Sequence, residues 1–377
     1  MQLPGPHAMM PSTNHDEAAR MSFVFHFKEH VVKQLTPGNK AVYDARVRPA
    51  FERSHQRAPK DRREVHAGMR GDAYWQMFGS LSRLYQELKQ DVGEAVAFRQ
   101  MDTLNERARQ IRGKARGTTL RLDPTVDVPR YLSAVDIHLM PGGYHSERTA
   151  DDVTAGAIYD PGVYMFAMGA LGAYNDDMGH SLIRWIRKNR PGFSPKRILE
   201  MGCGVGHSLI PYADAFPGAE IHAIDVGAPV LRYGQARAES LGKAVHFSQQ
   251  NAEHTDFASG YFDLVVSHIL FHETSYKAVY NVLKESHRLL KPGGLALHLD
   301  VPVQNAKLDP FNAFMRDWST HYNAEPFWGK LHDMDLYDPA VKAGFAREKS
   351  IVDHTPPDPA KAGAMLNMGW LVVGAEK

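Results

Sequence analysis

The sequence of 377 residues has one cysteine, almost no net charge and no long apolar run. The single thiol, Cys203, excludes an internal disulfide framework and a thiolate-rich metal site, and it fits a reducing compartment. Lys and Arg total 44 against 43 Asp and Glu, so no overall field attracts the chain to nucleic acid or to an anionic membrane. No apolar stretch approaches the length of a membrane span and no secretory leader is recognisable. We therefore expect a cytoplasmic protein whose partner is a small molecule, and neither a nucleic acid nor a membrane.

The spacing of apolar residues along the sequence divides the chain into three parts. Residues 1–20 mix Pro, Gly, Ser and charged residues without periodicity, which predicts a flexible tail. Residues 21–175 are mainly helical in pattern and predict a cap, a homodimer surface or both. Residues 176–377 alternate short strands with helices, which predicts a Rossmann-like α/β domain with a mostly parallel, seven-stranded sheet and helices on both faces. The basic stretch 46–70 is interpreted as a solvated helix surface.

Seven segments of this domain have the length and composition of strands. The last two lack a clear helix between them, so we expect an antiparallel pair at the edge of the sheet. The predicted strands are residues 197–202, 219–225, 244–250, 262–267, 294–300, 346–353 and 367–377.

The stretch RILEMGCGVGHSL, residues 197–209, places three glycines at alternate positions after the first predicted strand. Ligands of an open parallel sheet bind beyond the carboxyl ends of the strands, and glycines let backbone amides approach them closely. Asp225 ends the next strand, where a carboxylate can accept both ribose hydroxyls of a nucleoside. The dinucleotide pattern G-x-G-x-x-G would require a glycine at His207, which argues against a nicotinamide cofactor. Glu200 before the glycines suits a cofactor with a cationic, phosphate-free tail.

At this point the chain resembles the class I S-adenosylmethionine-dependent methyltransferases, specifically the small-molecule branch that includes the ubiquinone-biosynthesis-type enzymes. The resemblance rests on ILEMGCGVGHS, Asp225, NAEHTDFASGYFDLVVSHILFH and LKESHRLLKPGGLALHLD, which together cover about 197–303. It implies methyl transfer from S-adenosylmethionine to a small-molecule acceptor, with S-adenosylhomocysteine as the product. A catalytically silent scaffold with this fold and a nicotinamide-dependent oxidoreductase are the alternative interpretations.

The resemblance also implies which residues hold the cofactor. Glu200 and the glycine loop would hold its methionine end. An aspartate is usual where this chain has Asn251, whose neutral amide oxygen would hold the adenine amine less strongly. Segments that precede the first strand in related enzymes often close over the cofactor, which indicates Tyr159. The full set is Glu200, Gly202, Cys203, Gly204, Gly206, Asp225, Val226, Asn251, Ala252, Ser267, His268 and Tyr159.

The segment SHILFHET after the fourth predicted strand supplies the candidate catalytic residues His272, Glu273 and His268. On a helix, a spacing of four would place both imidazoles on one face. In one interpretation His268 meets the cofactor through its backbone while His272 caps or packs. In another, His272 or Glu273 acts as a general base or orients the acceptor. In a third, both histidines bind a metal together with Glu273 or a distant histidine; two ligands do not define such a site, so no metal is assigned.

Residues 304–335 form an insertion rich in aromatic residues between the fifth and sixth predicted strands. The resemblance implies that it lies over the acceptor side of the site. It is either a structural cluster or a lid that excludes water and stacks on a planar or cationic acceptor. The candidate acceptor contacts are Trp318 and Tyr322 of this insertion, together with Tyr164 and His145 of the N-terminal region.

Overall fold

A computed structural model describes residues 4–114, 117–302, 304–356 and 369–377. Eight strands form one sheet in the order β1-β4-β3-β2-β5-β6-β8-β7. The strands are β1 (Thr119–Arg121), β2 (Arg197–Met201), β3 (Glu220–Asp225), β4 (His246–Gln249), β5 (Phe262–His268), β6 (Leu290–Asp300), β7 (Ser350–His354) and β8 (Leu371–Glu376).

Each of the seven predicted strands has a counterpart in this sheet, although residues 367 and 368 of the last one lie outside the described residues. β8 pairs antiparallel with both β6 and β7, as predicted for the edge. The predicted count of seven is wrong, because β1 adds an eighth strand parallel to β4. β1 has three residues with alternate exposure, and so short a pattern does not stand out in a sequence.

Helices cover both faces of the sheet and dominate the first third of the chain. The α-helices are α1 (His15–His30), α2 (Thr36–Val42), α3 (Arg48–His55), α4 (Arg62–Met69), α5 (Ala73–Arg99), α6 (Met101–Ile111), α7 (Arg130–Ser133), α8 (Thr154–Phe166), α9 (Asp177–Asn189), α10 (Ile210–Ala215), α11 (Ala228–Ser240), α12 (Tyr276–Leu289), α13 (Pro310–Arg316), α14 (Trp318–Tyr322), α15 (Trp328–Leu331) and α16 (Asp338–Lys342). Two π-helical turns, Val31–Leu35 and Tyr43–Val47, join α1, α2 and α3 into one continuous helical segment.

The start of the chain differs from the flexible tail predicted for residues 1–20. α1 begins at His15 with a capping box, in which the Asn14 side chain accepts from the amide of Glu17 and the Glu17 side chain reaches back. Met9 is fully buried, and the amide of Gly5 donates to the carbonyl of Ala173. Residues 4–11 therefore make contacts with distant parts of the chain, and residues 15–20 belong to α1.

The middle of the sheet explains where a ligand can bind. The chain leaves β2 toward β3 on one side, whereas β5 lies on the other side of β2. Successive side chains of β2 enter opposite cores, with Ile198 packed in one and Leu199 in the other. The carboxyl ends of β2 and β5 thus flank the point where the crossovers diverge, which is where open α/β sheets bind their ligands.

Within the described part of the chain, no helix carries the uninterrupted apolar stretch that a bilayer-spanning helix requires.

Candidate functional site

A cavity of about 870 Å³ lies at the carboxyl ends of the central strands and continues beneath the N-terminal helices and the insertion. Its volume is in the upper range for small-molecule sites, so it can accommodate more than one ligand. The predicted site residues on its wall are Glu200, Gly202, Cys203, Gly204, Asp225, Val226, Asn251, Ala252, His268, Tyr159, His272, Glu273 and Trp318.

The glycine loop after β2 turns through backbone conformations that favour glycine. Gly202, Gly204 and Gly206 have φ values of 69°, 52° and 75°. A Cβ at position 202 would lie 2.7 Å from the side chain of Leu270, so the turn also favours a residue without a Cβ. The amide of Gly202 donates to the carbonyl of Ile224 at 2.8 Å, which ties the loop to β3. The loop consequently exposes bare backbone to the cavity.

Glu200, at the carboxyl end of β2, presents a buried carboxylate with one oxygen free. Its Oε1 lies 2.7 Å from Nδ1 of His268, and Nε2 of that ring lies 3.2 Å from the hydroxyl of Tyr212. Its Oε2 is buried and has no hydrogen-bond partner among the described residues. Buried polar atoms are nearly always paired in folded proteins, so this oxygen fits a ligand that carries a positive charge or a donor. His268 acts on the site by positioning Glu200.

Asp225, at the end of β3, is held in the cavity wall by two backbone amides. Its Oδ1 accepts from Gly227 at 2.9 Å and its Oδ2 from Gly204 at 2.9 Å. Burial raises the pKa of Asp225, which these two hydrogen bonds partly oppose. Each oxygen keeps a lone pair for a further donor, as a vicinal diol would provide.

Asn251 lies near Asp225 in the wall, where the adenine is expected. Its side-chain oxygen already accepts from the amide of Glu253 at 2.9 Å. One lone pair and the amide NH₂ remain for a ligand, which is compatible with the predicted weaker adenine contact.

Tyr159 on α8 faces the glycine loop across the cavity. Its ring stacks on His207 with centroids 5.6 Å apart, and it meets the edge of Tyr144 at 5.3 Å. A Cβ at Gly204 would lie 3.6 Å from it. Burial raises the pKa of Tyr159, so the phenol stays neutral. Aromatic packing of this kind forms a rigid wall beside the loop.

Asp160, the next residue on α8, ties several elements together in the interior. Its carboxylate lies 2.7 Å from Nε2 of His207, 3.0 Å from the hydroxyl of Tyr233 and 2.9 Å from Nε2 of His7. Burial opposes ionisation, but Arg237 and His207 hold the pKa of Asp160 well below its ordinary range. The N-terminal segment, α8 and the glycine loop are thereby joined through one buried charge.

His268 and His272 do not share a helix face, because the segment that carries them is not a helix. β5 ends at His268, Ile269 has a φ of 60°, and a 3₁₀ turn covers Phe271–Glu273. His268 therefore faces Glu200, whereas Nδ1 of His272 lies 2.6 Å from Oδ1 of Asp300. The spacing of four predicts a shared face only on a helix, and the chain here is leaving a strand.

His272 belongs to a second polar cluster in the wall of the cavity. Its Nε2 lies 3.6 Å from Oε1 of Glu325 and 3.9 Å from Oε1 of Glu273. Nε2 of His138 lies 3.1 Å from the same Glu325 oxygen and 3.6 Å from that of Glu273. The sequence analysis missed His138 and Glu325, because neither belongs to a periodic element and only the folded chain brings them to His272.

The charges in this cluster act strongly on one another. Burial alone would lower the pKa of His272, but Asp300 and Glu325 raise it to about 9. Burial alone would raise the pKa of Glu325, but His138 and His272 lower it to about 2. Burial raises the pKa of Glu273. A buried site with such displaced pKa values is a candidate for function.

The aromatic insertion divides between packing and the cavity. Trp318 and Trp328 line the cavity. Tyr322 instead accepts a hydrogen bond from the indole of Trp75 at 3.2 Å, and Phe314 packs on that indole with centroids 4.4 Å apart. Part of the insertion thus packs on the N-terminal helices and part faces the cavity, and its role as a lid stays a prediction.

Five predicted site residues lie outside the cavity wall. The side chain of Ser267 leaves the opposite face of β5 from His268 and lies 2.8 Å from Nδ1 of His298. Tyr164 follows Tyr159 by five positions on α8 and so points in another direction. The five are Gly206, Ser267, Tyr164, His145 and Tyr322.

Comparison with known proteins finds a matching family and relatives for the central segment of the chain. Residues 198–294 match a family described as "Methyltransferase domain". The chain is 33% identical over 109 residues to demethylmenaquinone methyltransferase of Thermus thermophilus, covering 29% of this chain and 49% of that protein. It is 32% identical over 119 residues to ubiquinone biosynthesis O-methyltransferase of Pseudomonas aeruginosa, covering 31% and 49%. The chain spans about half the length of these curated relatives.

Among solved structures, phosphoethanolamine N-methyltransferase 2 of Haemonchus contortus, in complex with S-adenosyl-L-methionine, aligns with a TM-score of 0.39 at 18% identity. The alignment covers 52% of each chain.

The sheet order, the crevice beyond β2 and the glycine loop define an open α/β domain with a cavity at the carboxyl ends of its central strands. The match of residues 198–294 to the methyltransferase-domain family supports the predicted resemblance for this segment of the chain.

Proposed function

We propose that the protein is an S-adenosylmethionine-dependent methyltransferase that acts on a small-molecule acceptor. The observation that carries the proposal is the free oxygen of Glu200 beside the bare glycine loop, inside a matched methyltransferase domain. A buried, unpaired carboxylate oxygen fits the cationic methionine end of this cofactor and would repel a pyrophosphate.

The cofactor-binding residues would act at three places along the crevice. Glu200 and the loop from Gly202 to Gly204 would hold the methionine end. Asp225, already fixed by two amides, would accept from the ribose hydroxyls. Asn251 would border the adenine, and Tyr159 would cover the bound cofactor from the side of α8.

Bound S-adenosylmethionine supplies a methyl carbon that the lone pair of the acceptor attacks, while the electrons of the broken bond remain on sulfur. The protein then chiefly has to align the acceptor and exclude water. Correct positioning of two reactants contributes on the order of 7–11 kcal/mol. Trp318 and Trp328, which line the cavity, would cover the acceptor with apolar surface. His272 and Glu273 would orient the acceptor.

A thermal-shift comparison tests the cofactor class. We expect S-adenosylhomocysteine to raise the melting temperature and NAD to leave it unchanged. Stabilisation by NAD alone would overturn the proposal in favour of an oxidoreductase.

Turnover is tested with a methyl-labelled donor and a metabolite extract, followed by mass spectrometry. We expect label in a small molecule. Tight binding of S-adenosylhomocysteine without any labelled product would favour the silent scaffold.

A homodimer through the N-terminal helices, the absence of a nucleic-acid partner and a cytoplasmic location stay predictions. Light scattering of the purified chain would test the first of them.

A further inference from the structure

The second polar cluster brings together the atoms of a metal-ligand set from three distant parts of the chain. Nε2 of His138, Nε2 of His272 and a carboxylate oxygen of Glu325 all lie within 4.8 Å of one another. His138 precedes the domain, His272 follows β5, and Glu325 belongs to the insertion. Glu273 adds a fourth candidate ligand from the same turn as His272. The cluster opens into the cavity that also contains the glycine loop.

Each of the three side chains has a polar contact at the atom that points away from the cluster, so that its ligand atom faces the other two. Nδ1 of His272 lies 2.6 Å from Oδ1 of Asp300, which orients the ring so that Nε2 faces the cluster and, in the neutral ring, offers its lone pair there. Nδ1 of His138 lies 2.6 Å from the hydroxyl of Tyr144. Metal-bound histidines typically have their second nitrogen bonded to a carboxylate or another oxygen in this way. The far oxygen of Glu325 accepts from Asn323 at 2.7 Å, so this ligand too is oriented.

The backbone at His138 is held in a conformation that costs energy. His138 and Leu139 have φ values of 57° and 55°, in the left-handed region that non-glycine residues rarely adopt. The side-chain amides of Gln86 and Gln90 on α5 both donate to the carbonyl of His138, at 3.1 and 2.8 Å. Two buried side chains thus fix the peptide that aims this imidazole at the cluster. Strain of this kind is concentrated at functional sites.

The charges of the cluster are compatible with a bound cation. Three carboxylates, Glu273, Asp300 and Glu325, surround two imidazoles in the interior, and the last two carboxylates are 1% and 3% exposed. The imidazoles pair with these carboxylates, and Glu325 also interacts with the buried ammonium of Lys89. A divalent ion would bind the neutral imidazoles and so replace the protons that now pair with the carboxylates.

We propose that His138, His272 and Glu325 bind a divalent first-row transition-metal ion, with Glu273 as a fourth ligand. Two imidazoles and one carboxylate form the ligand set of catalytic zinc and of non-haem iron(II) sites, and such sites keep positions open for a substrate. In the proposed methyl transfer, on which this step rests, the ion would bind a hydroxyl or enol oxygen of the acceptor and lower its pKa, and the proton released from that oxygen would pass to water. The site therefore favours acceptors that carry such an oxygen.

Binding is tested on the full chain after dialysis against a chelator. Co²⁺ is added as a spectroscopic probe, and Zn²⁺, Mn²⁺, Fe²⁺ without oxygen, and Mg²⁺ are compared by calorimetry. We expect one transition-metal ion per chain, visible Co²⁺ absorption, displacement by Zn²⁺ and much weaker binding of Mg²⁺.

Variants locate the ion. Glu325→Gln and His138→Ala should weaken binding at least tenfold, and Tyr144→Phe should do so by about tenfold, as loss of an outer partner does. His180→Ala, which removes an exposed imidazole elsewhere, should bind as the parent does. Glu325→Gln keeps the size of the side chain, so it carries the test if His138→Ala fails to fold.

A chain that takes up no ion, or a Glu325→Gln variant with unchanged affinity, overturns the metal site. Neither result bears on cofactor binding, because S-adenosylhomocysteine is titrated separately with metal-free protein. Metal binding without cofactor binding would conversely leave the site standing and remove its proposed role in methyl transfer.

Discussion

Nδ1 of His268 lies 2.7 Å from Oε1 of Glu200, and this contact orients the carboxylate at the end of β2. The imidazole is itself held by the hydroxyl of Tyr212. Because one carboxylate oxygen is bound in this way, the other is fixed at the cavity wall without a partner among the described residues. The arrangement prepares a negative charge before any ligand arrives.

Glu200→Gln should weaken binding of S-adenosylmethionine about ten- to a hundredfold, because a neutral amide replaces a charged acceptor of similar shape. Calorimetry measures the change. Glu220→Gln is the matched control. Glu220 begins β3, at the end of the sheet away from the cavity, so its substitution should leave affinity unchanged. Equal affinities in all three proteins would remove Glu200 from the cofactor site.

Asp225→Ala should abolish tight cofactor binding while the fold is retained. The substitution removes the proposed ribose acceptor and also frees the amide of Gly204. Calorimetry with S-adenosylhomocysteine, alongside circular dichroism, is the measurement, and Asp214→Ala at an exposed position is the control. Unchanged affinity in Asp225→Ala would contradict the ribose assignment.

Arg62→Ala should destabilise the docking of the insertion on the N-terminal helices. Nε of Arg62 lies 2.9 Å from Asp317, and the guanidinium also contacts Asp333, both within or beside the insertion. The guanidinium is 12% exposed, so we expect a loss of about 2 kcal/mol, between the values for surface and buried pairs.

Urea unfolding measures this loss. Arg63→Ala removes a neighbouring guanidinium that is 79% exposed and should change stability by less than ~0.5 kcal/mol. Equal effects of the two substitutions would show that the pairing of Arg62 does not hold the insertion.

Lys89→Met should stabilise the protein at neutral pH. Burial lowers the pKa of Lys89 from 10.5 to about 8, and the charge of Glu325 offsets this only in part. Below pH 8 both the folded and the unfolded chain bind the proton, so the full cost of burying the charge is present. A displacement of this size corresponds to an effect on the order of 3 kcal/mol.

The pH dependence separates this effect from simple packing. Between pH 8 and 10.5 the unfolded chain keeps the proton that the folded chain releases, so stability of the parent rises with pH. The advantage of Lys89→Met should therefore shrink across this window, whereas the effect of Lys188→Met on the exposed face of α9 should not depend on pH. A constant advantage of Lys89→Met would contradict the lowered pKa.

The strands and helices with a regular apolar pattern were predictable from the sequence. The contacts between distant segments were not. Strands such as β2 and β5 are apolar on both faces, and this composition is visible in the sequence. The glycine loop and Asp225 follow such strands directly, so their place at the crevice could be predicted from topology. β1 has too few residues to form a pattern.

The polar clusters show why the rest of the site was missed. His138 lies in an irregular segment, and its orientation depends on Gln86 and Gln90 of α5, far away in the sequence. Glu325 reaches His272 only because the insertion docks on the N-terminal helices. The contacts of residues 4–11 have the same origin, since Met9 gains its burial from other parts of the chain.

The carboxylate of Asp160 links the first residues of the chain to the proposed cofactor site. His7 contacts this carboxylate on one side, while His207, which ends the glycine loop and supports the ring of Tyr159, contacts it on the other. A version of the protein shortened by a dozen residues for expression would therefore lose one neighbour of a buried charge that braces the crevice. Affinities measured on such a version would describe an altered site.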